Sequence, residues 1–269
     1  MSRFAVVGHV EWIEFGRFTH VPEPGEIIDA TAWFSEAAGS AAVAAVQLAK
    51  LSGDVDFFTA LGTDERGRRS QERLTELGVR VHAAPRDAMQ RWGFVHLTDD
   101  GERTISIVGE RLAPEGADDL PWDRLDGAAA VFVSGGDHAA MRHARRADRL
   151  IATPRAIETL RGIRIDALVG SGEDRLEQVD PDAYDVGLVV TTAGSEGGTW
   201  REGGRSGTFA AAPLPGPLMD AYGAGDTFAA GLTYGLGTDR SVEDSLAFAA
   251  RAGAANLTGR GPYAGQLSR

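Results

Sequence analysis

Short apolar runs, separated by turn residues and longer amphipathic stretches, set the rhythm of this chain. Residues 4–7 (FAVV), 55–60 (VDFFTA), 79–84 (VRVHAA), 129–134 (AAVFVS), 167–169 (ALV) and 187–191 (GLVVT) read as strands. Most lack a polar alternate position, as expected of strands buried on both faces. Between them, residues 41–51, 69–77, 226–236 and 242–257 carry helical patterns; in the third, Phe228, Leu232 and Leu236 fall on one stripe. Strands alternating with helices predict an α/β fold: a central, mostly parallel sheet with helices on both faces.

Two regions break the rhythm. Residues of about 10–34 and 90–108 alternate apolar and polar positions, the mark of ribbons with one wet face. Strands at 91–97 and 103–108 flank TDDGE, a hairpin turn. These segments are expected to form a small antiparallel β lid. Its apolar face suits pairing with a second copy, which gives a homodimer as the expected assembly. No linker, repeat or charge block divides the chain, so residues 1–269 are expected to form a single domain.

Composition narrows the function. Glycine accounts for 35 of 269 residues, about 13%, without period, against a usual ~7%. That suits many tight strand-to-helix turns. The formal net charge is −12, which disfavours nucleic acid as a partner. There is no cysteine, hence no disulfide, thiolate chemistry or Cys-bound zinc. The first strand is too short for a signal peptide and no apolar run reaches a membrane span, so a cytoplasmic protein is expected. Lys50 is the single lysine. A Walker loop is therefore absent, and phosphate must be handled by backbone amides, arginine or a metal.

One stretch concentrates the candidate chemistry. In DAYGAGDTFAAGL (220–232) three residues, Gly223, Ala224 and Gly225, precede a helix starting near Asp226. The free amides of a first helical turn carry the positive end of the dipole, and glycines let an anion approach them. A carboxylate at that rim can take a proton from a hydroxyl attacking phosphorus. The same aspartate would also serve as an N-cap. The six histidines have no metal-ligand spacing; His9, which follows the first strand, is expected in a solvent or core role, with facing the substrate as the alternative, and the basic face of DHAAMRHARR in solvent.

DAYGAGDTFAAGL resembles the C-terminal signature of the ribokinase-like, PfkB-type sugar and nucleoside kinases, and other motifs follow in order. PEPGEII (22–28) is similar to their P-x-x-G-E segment, AGSAAVAAVQLAKLSG (38–53) to their Gly-Gly helix, and LGTDERG to their G-x-D-x-x-G turn. TDDGERT is similar to their lid hairpin, VVTTAGSEGG (189–198) to their nucleotide-side strand, and LTGRG (257–261) to their ending. The resemblance implies an ATP-dependent kinase with magnesium. Asp226 would be the general base, and Gly223, Ala224 and Gly225 with the Asp226 amide the anion hole. Thr192, Gly194 and Gly197 would lie under the nucleotide, Gly253 and Asn256 near adenine, and Asp220 at a K+ site.

The chain departs from that family at the sugar end. Its Gly-Gly is Ala38-Gly39, its usual asparagine is Val43, and its usual aspartate falls near Ile13. Gly39, Ser40, Val43 and Glu11 are the candidate substrate residues, Glu11 replacing the missing carboxylate. An apolar part of the substrate is expected against Val43, with weak activity on ribose and fructose. The N-x-x-E motif reads as degenerate in VGSGEDRLE, which offers Ser171 and Asp174, the latter toward magnesium through water. Trp12 and Trp33 are expected to pack together in the lid, with stacking on a sugar or base as the alternative. Three readings stay open: a sugar kinase, a nucleoside kinase, or a ligand-binding protein that has lost turnover.

Overall fold

The computed structural model describes residues 2–98 and 103–269. The hairpin turn expected within TDDGE lies largely outside them. The chain opens with β1 (Phe4–Val7), enters a second sheet as β2 (Glu11–Phe18) and β3 (Ala32–Ala38), and returns as α1 (Ser40–Ser52). Next come β4 (Val55–Gly62), α2 (Glu65–Glu76) and β5 (Arg80–Arg86), then a second excursion, β6 (Trp92–Thr98) and β7 (Arg103–Val108). The rest runs β8 (Ala130–Val133), α3 (His138–Ala144), β9 (Leu150–Ala152), β10 (Ile165–Ser171), β11 (Val186–Thr192), β12 (Gly198–Glu202), β13 (Arg205–Phe209), α4 (Ala224–Gly237) and α5 (Val242–Asn256).

The main sheet has nine strands in the order β13-β12-β11-β10-β9-β8-β1-β4-β5. Every ladder from β11 to β5 is parallel, and β12 and β13 close the edge as an antiparallel hairpin. Period-two alternation splits the core between the two faces. Phe4, Val6, Phe57 and Phe132 face one cluster with α1 and α4, whereas Ala5, Val7, Phe58 and Val133 face the other with α3 and short 3-10 turns. The helices lie close because their contact residues are small. A Cβ on Gly231 of α4 would come within 2.9 Å of the Ala249 Cα in α5.

The second sheet is the expected lid, in the order β3-β2-β6-β7. Its outer ladders are antiparallel, but the central one, β2 with β6, is parallel. The cause is the parent sheet: β1 and β5 run in the same direction, and each feeds its lid strand after a short turn. The expectation for the two tryptophans is corrected here. Trp12 pairs with Ala37, and Trp33 with Gly16, four positions further along β2, roughly 13 Å at strand rise. Trp12 is buried under the Arg69 guanidinium, 4.4 Å from its ring, while Trp33 is 62% exposed. Alternation places both on the face opposite Glu11.

The lid is fastened to the body. Arg17 donates to the Met219 carbonyl at 3.0 Å, Arg103 to that of Ala221 at 3.1 Å, and Arg260 to that of Trp33 at 3.3 Å. The Tyr263 hydroxyl donates to the Ala37 carbonyl. On the inner face Phe15 stacks on Phe34 at 4.6 Å and meets the edge of Tyr222 at 5.0 Å. Among the described residues, no helix is long and apolar enough to cross a membrane.

Candidate active site

The site lies at the carboxyl ends of the main-sheet strands, beneath the lid, where open parallel sheets leave a crevice. The N-terminus of α4 forms its floor. The cap is Gly223 (φ 79°), and the first helical hydrogen bond runs from the Thr227 amide to the Gly223 carbonyl at 2.8 Å. The amides of Ala224, Gly225 and Asp226 precede that bond and have no intrahelical acceptor. Asp226 is therefore a first-turn residue rather than the cap.

The two glycines there serve different ends. A Cβ on Gly223 would stand 3.0 Å from Val43 Cγ1, and its backbone is left-handed, so both space and conformation demand glycine. A Cβ on Gly225 would meet nothing within 4 Å. Gly225 thus leaves open space in front of the free amides.

The Asp226 carboxyl is half-buried and raised to about 6. Desolvation is the main cause; the carboxylates of Glu177 and Glu11 push the same way, while the Ser40 hydroxyl and Arg103 oppose. These relations bring Glu11, Ser40, Asp226, Arg103 and Glu177 around one space. Glu11 is nearly buried, and burial alone would raise it. His9 and Arg91, whose Nε donates to Oε1 at 2.7 Å, outweigh that and hold it near 2. His9 is buried, one of the outcomes expected for it, and lies beside Glu11, Nε2 3.5 Å from Oε1, with its pKa lowered by burial and by Arg111 and Arg91 against the opposing Glu11. Gly39 is needed for contact: φ is 91°, and a Cβ would stand 3.2 Å from the Glu11 amide nitrogen.

Several candidates sit elsewhere than expected. Val43 is fully buried against Gly223, so it shapes the α4 loop and offers no surface to a substrate. Gly253 is buried between helices; its missing Cβ would stand 3.3 Å from the Ala224 carbonyl oxygen. Asn256 has no exposed surface and donates to the Pro262 carbonyl at 3.1 Å, tying down the C-terminal turn. Both positions are enclosed by protein. Gly197 (φ 84°) is a tight-turn residue whose Cβ would collide with the Phe209 carbonyl oxygen at 2.0 Å. Thr192 ends β11, and a Cβ on Gly194 (φ 51°) would stand 3.6 Å from Glu173 Oε1, both at the same strand-end rim.

The degenerate motif also reads differently. Ser171 Oγ accepts from the Glu173 and Asp174 amides, and Asp174 caps the turn and pairs with Arg155. Glu177 was missed. It accepts from the Ser171 amide at 2.9 Å and from Arg155 at 3.1 Å, and its charge reaches Asp226. The signal was present: Asp174 and Glu177 keep the N-x-x-E spacing with aspartate for asparagine. Arg91, Arg103 and Arg111 were missed too, since nothing local marks an arginine for a site.

Asp220 is buried, and both its oxygens accept backbone amides, from Tyr222 at 2.8 Å and Gly261 at 3.0 Å. Desolvation raises its pKa and those amides oppose the rise. No group of three His, Asp or Glu is placed to hold a metal among the described residues.

Comparison with known proteins gives the family and the fold. The family described as pfkB family carbohydrate kinase matches residues 1–161 and 138–268. An ATP-dependent ribose-1-phosphate kinase of Halopiger xanaduensis is 28% identical, covering 94% of this chain and 91% of that protein. A ribokinase of Lactococcus lactis is 25% identical over 93% of this chain and 88% of its own length. The structure of Arabidopsis thaliana ribokinase complexed with ribose and ATP superposes with a TM-score of 0.78 at 23% identity, covering 99% and 96% of the two chains.

Proposed function

The chain belongs to the pfkB family of carbohydrate kinases, and from that membership we propose that it transfers the terminal phosphoryl group of ATP to a hydroxyl of a sugar. Asp226 is the general base, and the amides of Ala224, Gly225 and Asp226 form the anion hole. One observation carries the reading: a carboxyl raised to about 6 stands beside three amides without intrahelical acceptors, with open space before them.

The chemistry follows from that placement. Above about pH 6 Asp226 is ionised and accepts the proton of the attacking hydroxyl. The new O–P bond forms as the P–O bond to the departing ADP breaks. The three amides face charge on the phosphoryl oxygens at no cost of reorganisation. Ser40 holds the Asp226 carboxylate, and Glu11 and His9 face the acceptor. Magnesium accompanies the nucleotide and neutralises phosphate charge when bound. Because Asp174 and Glu177 are engaged by Arg155, they fit a role through water rather than direct ligation. Asp220 is the candidate for K+, through lone pairs that its two amides leave free; the readout is turnover in KCl against tetramethylammonium chloride.

The test is Asp226→Asn. Nucleotide affinity by calorimetry is expected to hold, while kcat falls by roughly 10²–10⁴, the usual worth of a general base. Near-normal turnover with the best acceptor would remove Asp226 from the mechanism. A nucleoside acceptor is less favoured, because Phe15, Phe34 and Tyr222 pack on one another and Trp12 lies on the far face.

A further inference from the structure

We propose that His9 selects the acceptor by taking, at Nδ1, the hydrogen of a sugar hydroxyl other than the one that is phosphorylated. This rests on the kinase reading above and names what the same site requires of its sugar. The first observation is an orphaned atom. His9 is 4% exposed, and its Nε2 lies 3.5 Å from Glu11 Oε1, while Nδ1 has no hydrogen-bond partner among the described residues. Buried polar atoms are rarely left so.

The ring itself fixes what Nδ1 can bind. Burial lowers the pKa of His9 below its usual 6.5, against the pull of Glu11, so the imidazole is neutral at pH 7 and carries one N–H. Glu11 is ionised and can only accept; its Oε1 already takes the Arg91 Nε–H at 2.7 Å. The single proton of His9 therefore stands on Nε2, facing that carboxylate, and Nδ1 is a bare lone pair. A donor must come to it, and a sugar brings O–H groups.

The second observation is space at that lone pair. Val7 pairs with Val133, and the Ser134 amide donates to the Val7 carbonyl at 3.0 Å, so His9 and Gly135 leave the sheet side by side at the carboxyl ends of β1 and β8. Among the described residues, a Cβ on Gly135 would meet His9 Nδ1 at 3.7 Å and the Ala113 Cβ at 4.0 Å, and nothing nearer. Gly135 is not left-handed, so its backbone does not demand glycine; the missing side chain leaves a gap in front of Nδ1. The Ser134 hydroxyl does not close it. That oxygen is itself unpartnered and lies under Gly8 on the α1 side, where a Gly8 Cβ would stand 2.5 Å from it and 2.6 Å from the Ala41 Cβ. A sugar whose hydroxyl enters the gap satisfies His9, and one without that hydroxyl leaves Nδ1 buried and unpaired. No bond to this hydroxyl forms or breaks in the reaction. The phosphoryl group goes to another, whose proton goes to Asp226.

The experiment takes ribose, xylose, fructose and glucose, finds which of them wild type uses or binds best, and compares that sugar with its own monodeoxy derivatives. The proteins are wild type, His9→Gln, His9→Asn and Gly135→Ala, with turnover read as kcat/KM and binding by calorimetry. His9→Gln keeps an amide N–H near the place of Nε2 and empties that of Nδ1. His9→Asn keeps an amide near the place of Nδ1 and gives up Glu11. Gly135→Ala puts a methyl in the gap. Wild type is expected to reject one deoxy derivative by roughly 10- to 100-fold. That preference is expected to vanish in His9→Gln and Gly135→Ala and to persist in His9→Asn. A variant that is merely less stable loses all the sugars alike and leaves the ratio where it was. Persistence in His9→Gln with loss in His9→Asn means that His9 only holds Glu11, and overturns the proposal. A ratio equal in all four proteins, or no rejected derivative in wild type, overturns it too and leaves the kinase reading standing where turnover is seen. The expected pattern in binding, without turnover of any sugar, upholds this inference and removes the kinase reading. Absence of both binding and turnover overturns this one.

Discussion

Asp226 couples activity and stability in opposite directions. Its carboxyl is raised from 3.8 to about 6, chiefly by desolvation. A raised acid contributes stability that is fully present below pH 3.8 and lost as pH rises through 6. The ionised form is the working one, so kcat is expected to climb tenfold per pH unit below about 6 and level off above it. Asp226→Asn removes the buried charge and is expected to stabilise the fold at pH 7.5 by on the order of 2 kcal/mol, an advantage absent near pH 4. Urea melts at the two pH values read the difference, and a variant less stable at pH 7.5 contradicts it. Asp226 was legible because a motif surrounds it. Glu177, Arg91, Arg103 and Arg111 were not, because they are assembled by chain segments far apart in sequence. Val43 was misplaced for the converse reason: a helical position gives its face only once the neighbouring loop, here Gly223, is known.

At the scale of elements, the N-terminus of α4 separates packing from chemistry within three residues. Gly225→Ala adds a methyl to open space at ordinary backbone angles inside a helix. Its thermal midpoint is expected to hold or rise, since alanine is favoured over glycine by up to ~1 kcal/mol. Its kcat is expected to fall roughly 10²–10³-fold as the methyl blocks the amides. Gly223→Ala is expected to lose stability by about 1–2 kcal/mol from the left-handed backbone alone, with the Val43 contact added. Equal activity losses with equal stability losses in the two variants would mean that both glycines serve packing only. The lid strands were legible from their alternation. The parallel ladder at the lid's centre was not, because it follows from the direction of β1 and β5 and not from any residue within the lid.

Over the whole molecule, chemistry collects at one end of the sheet and an ionic knot at the other. Asp56, at the start of β4, is fully buried and accepts from His82 at 2.7 Å, Arg124 at 2.7 Å and Arg80 at 3.0 Å. Burial alone would raise its pKa; these three donors outweigh it and hold the carboxyl far below the usual range. A depressed acid contributes stability above its unfolded pKa and loses it as pH falls through the folded one. Asp56→Asn, which strands the guanidinium groups of Arg80 and Arg124 and leaves the His82 imidazole without its carboxylate, is expected to cost about 2–4 kcal/mol at pH 7, a deficit that narrows only below about pH 4, with kcat unchanged. The α/β architecture was plain from the strand–helix rhythm; β9 and the β12–β13 hairpin, short and weakly patterned, were not. The dimer remains a proposal for the exposed apolar residues of the lid, Trp33, Ile105 and Val108, and light scattering at micromolar concentration decides it.

The lid's fastening has a genetic consequence. Arg17, Arg103, Arg260 and Tyr263 all grip main-chain oxygens, at Met219, Ala221, Trp33 and Ala37. A carbonyl belongs to every amino acid. Drift at those four acceptor positions therefore leaves the fastening intact, whereas loss of any gripping side chain has no reciprocal swap across the seam to restore it. A suppressor selection begun from Arg103→Ala should return revertants at position 103 or changes that tighten the lid from elsewhere, and none that exchange charge at 221. Descendants of this chain can reshape the mouth of the crevice freely while keeping the hands that close it.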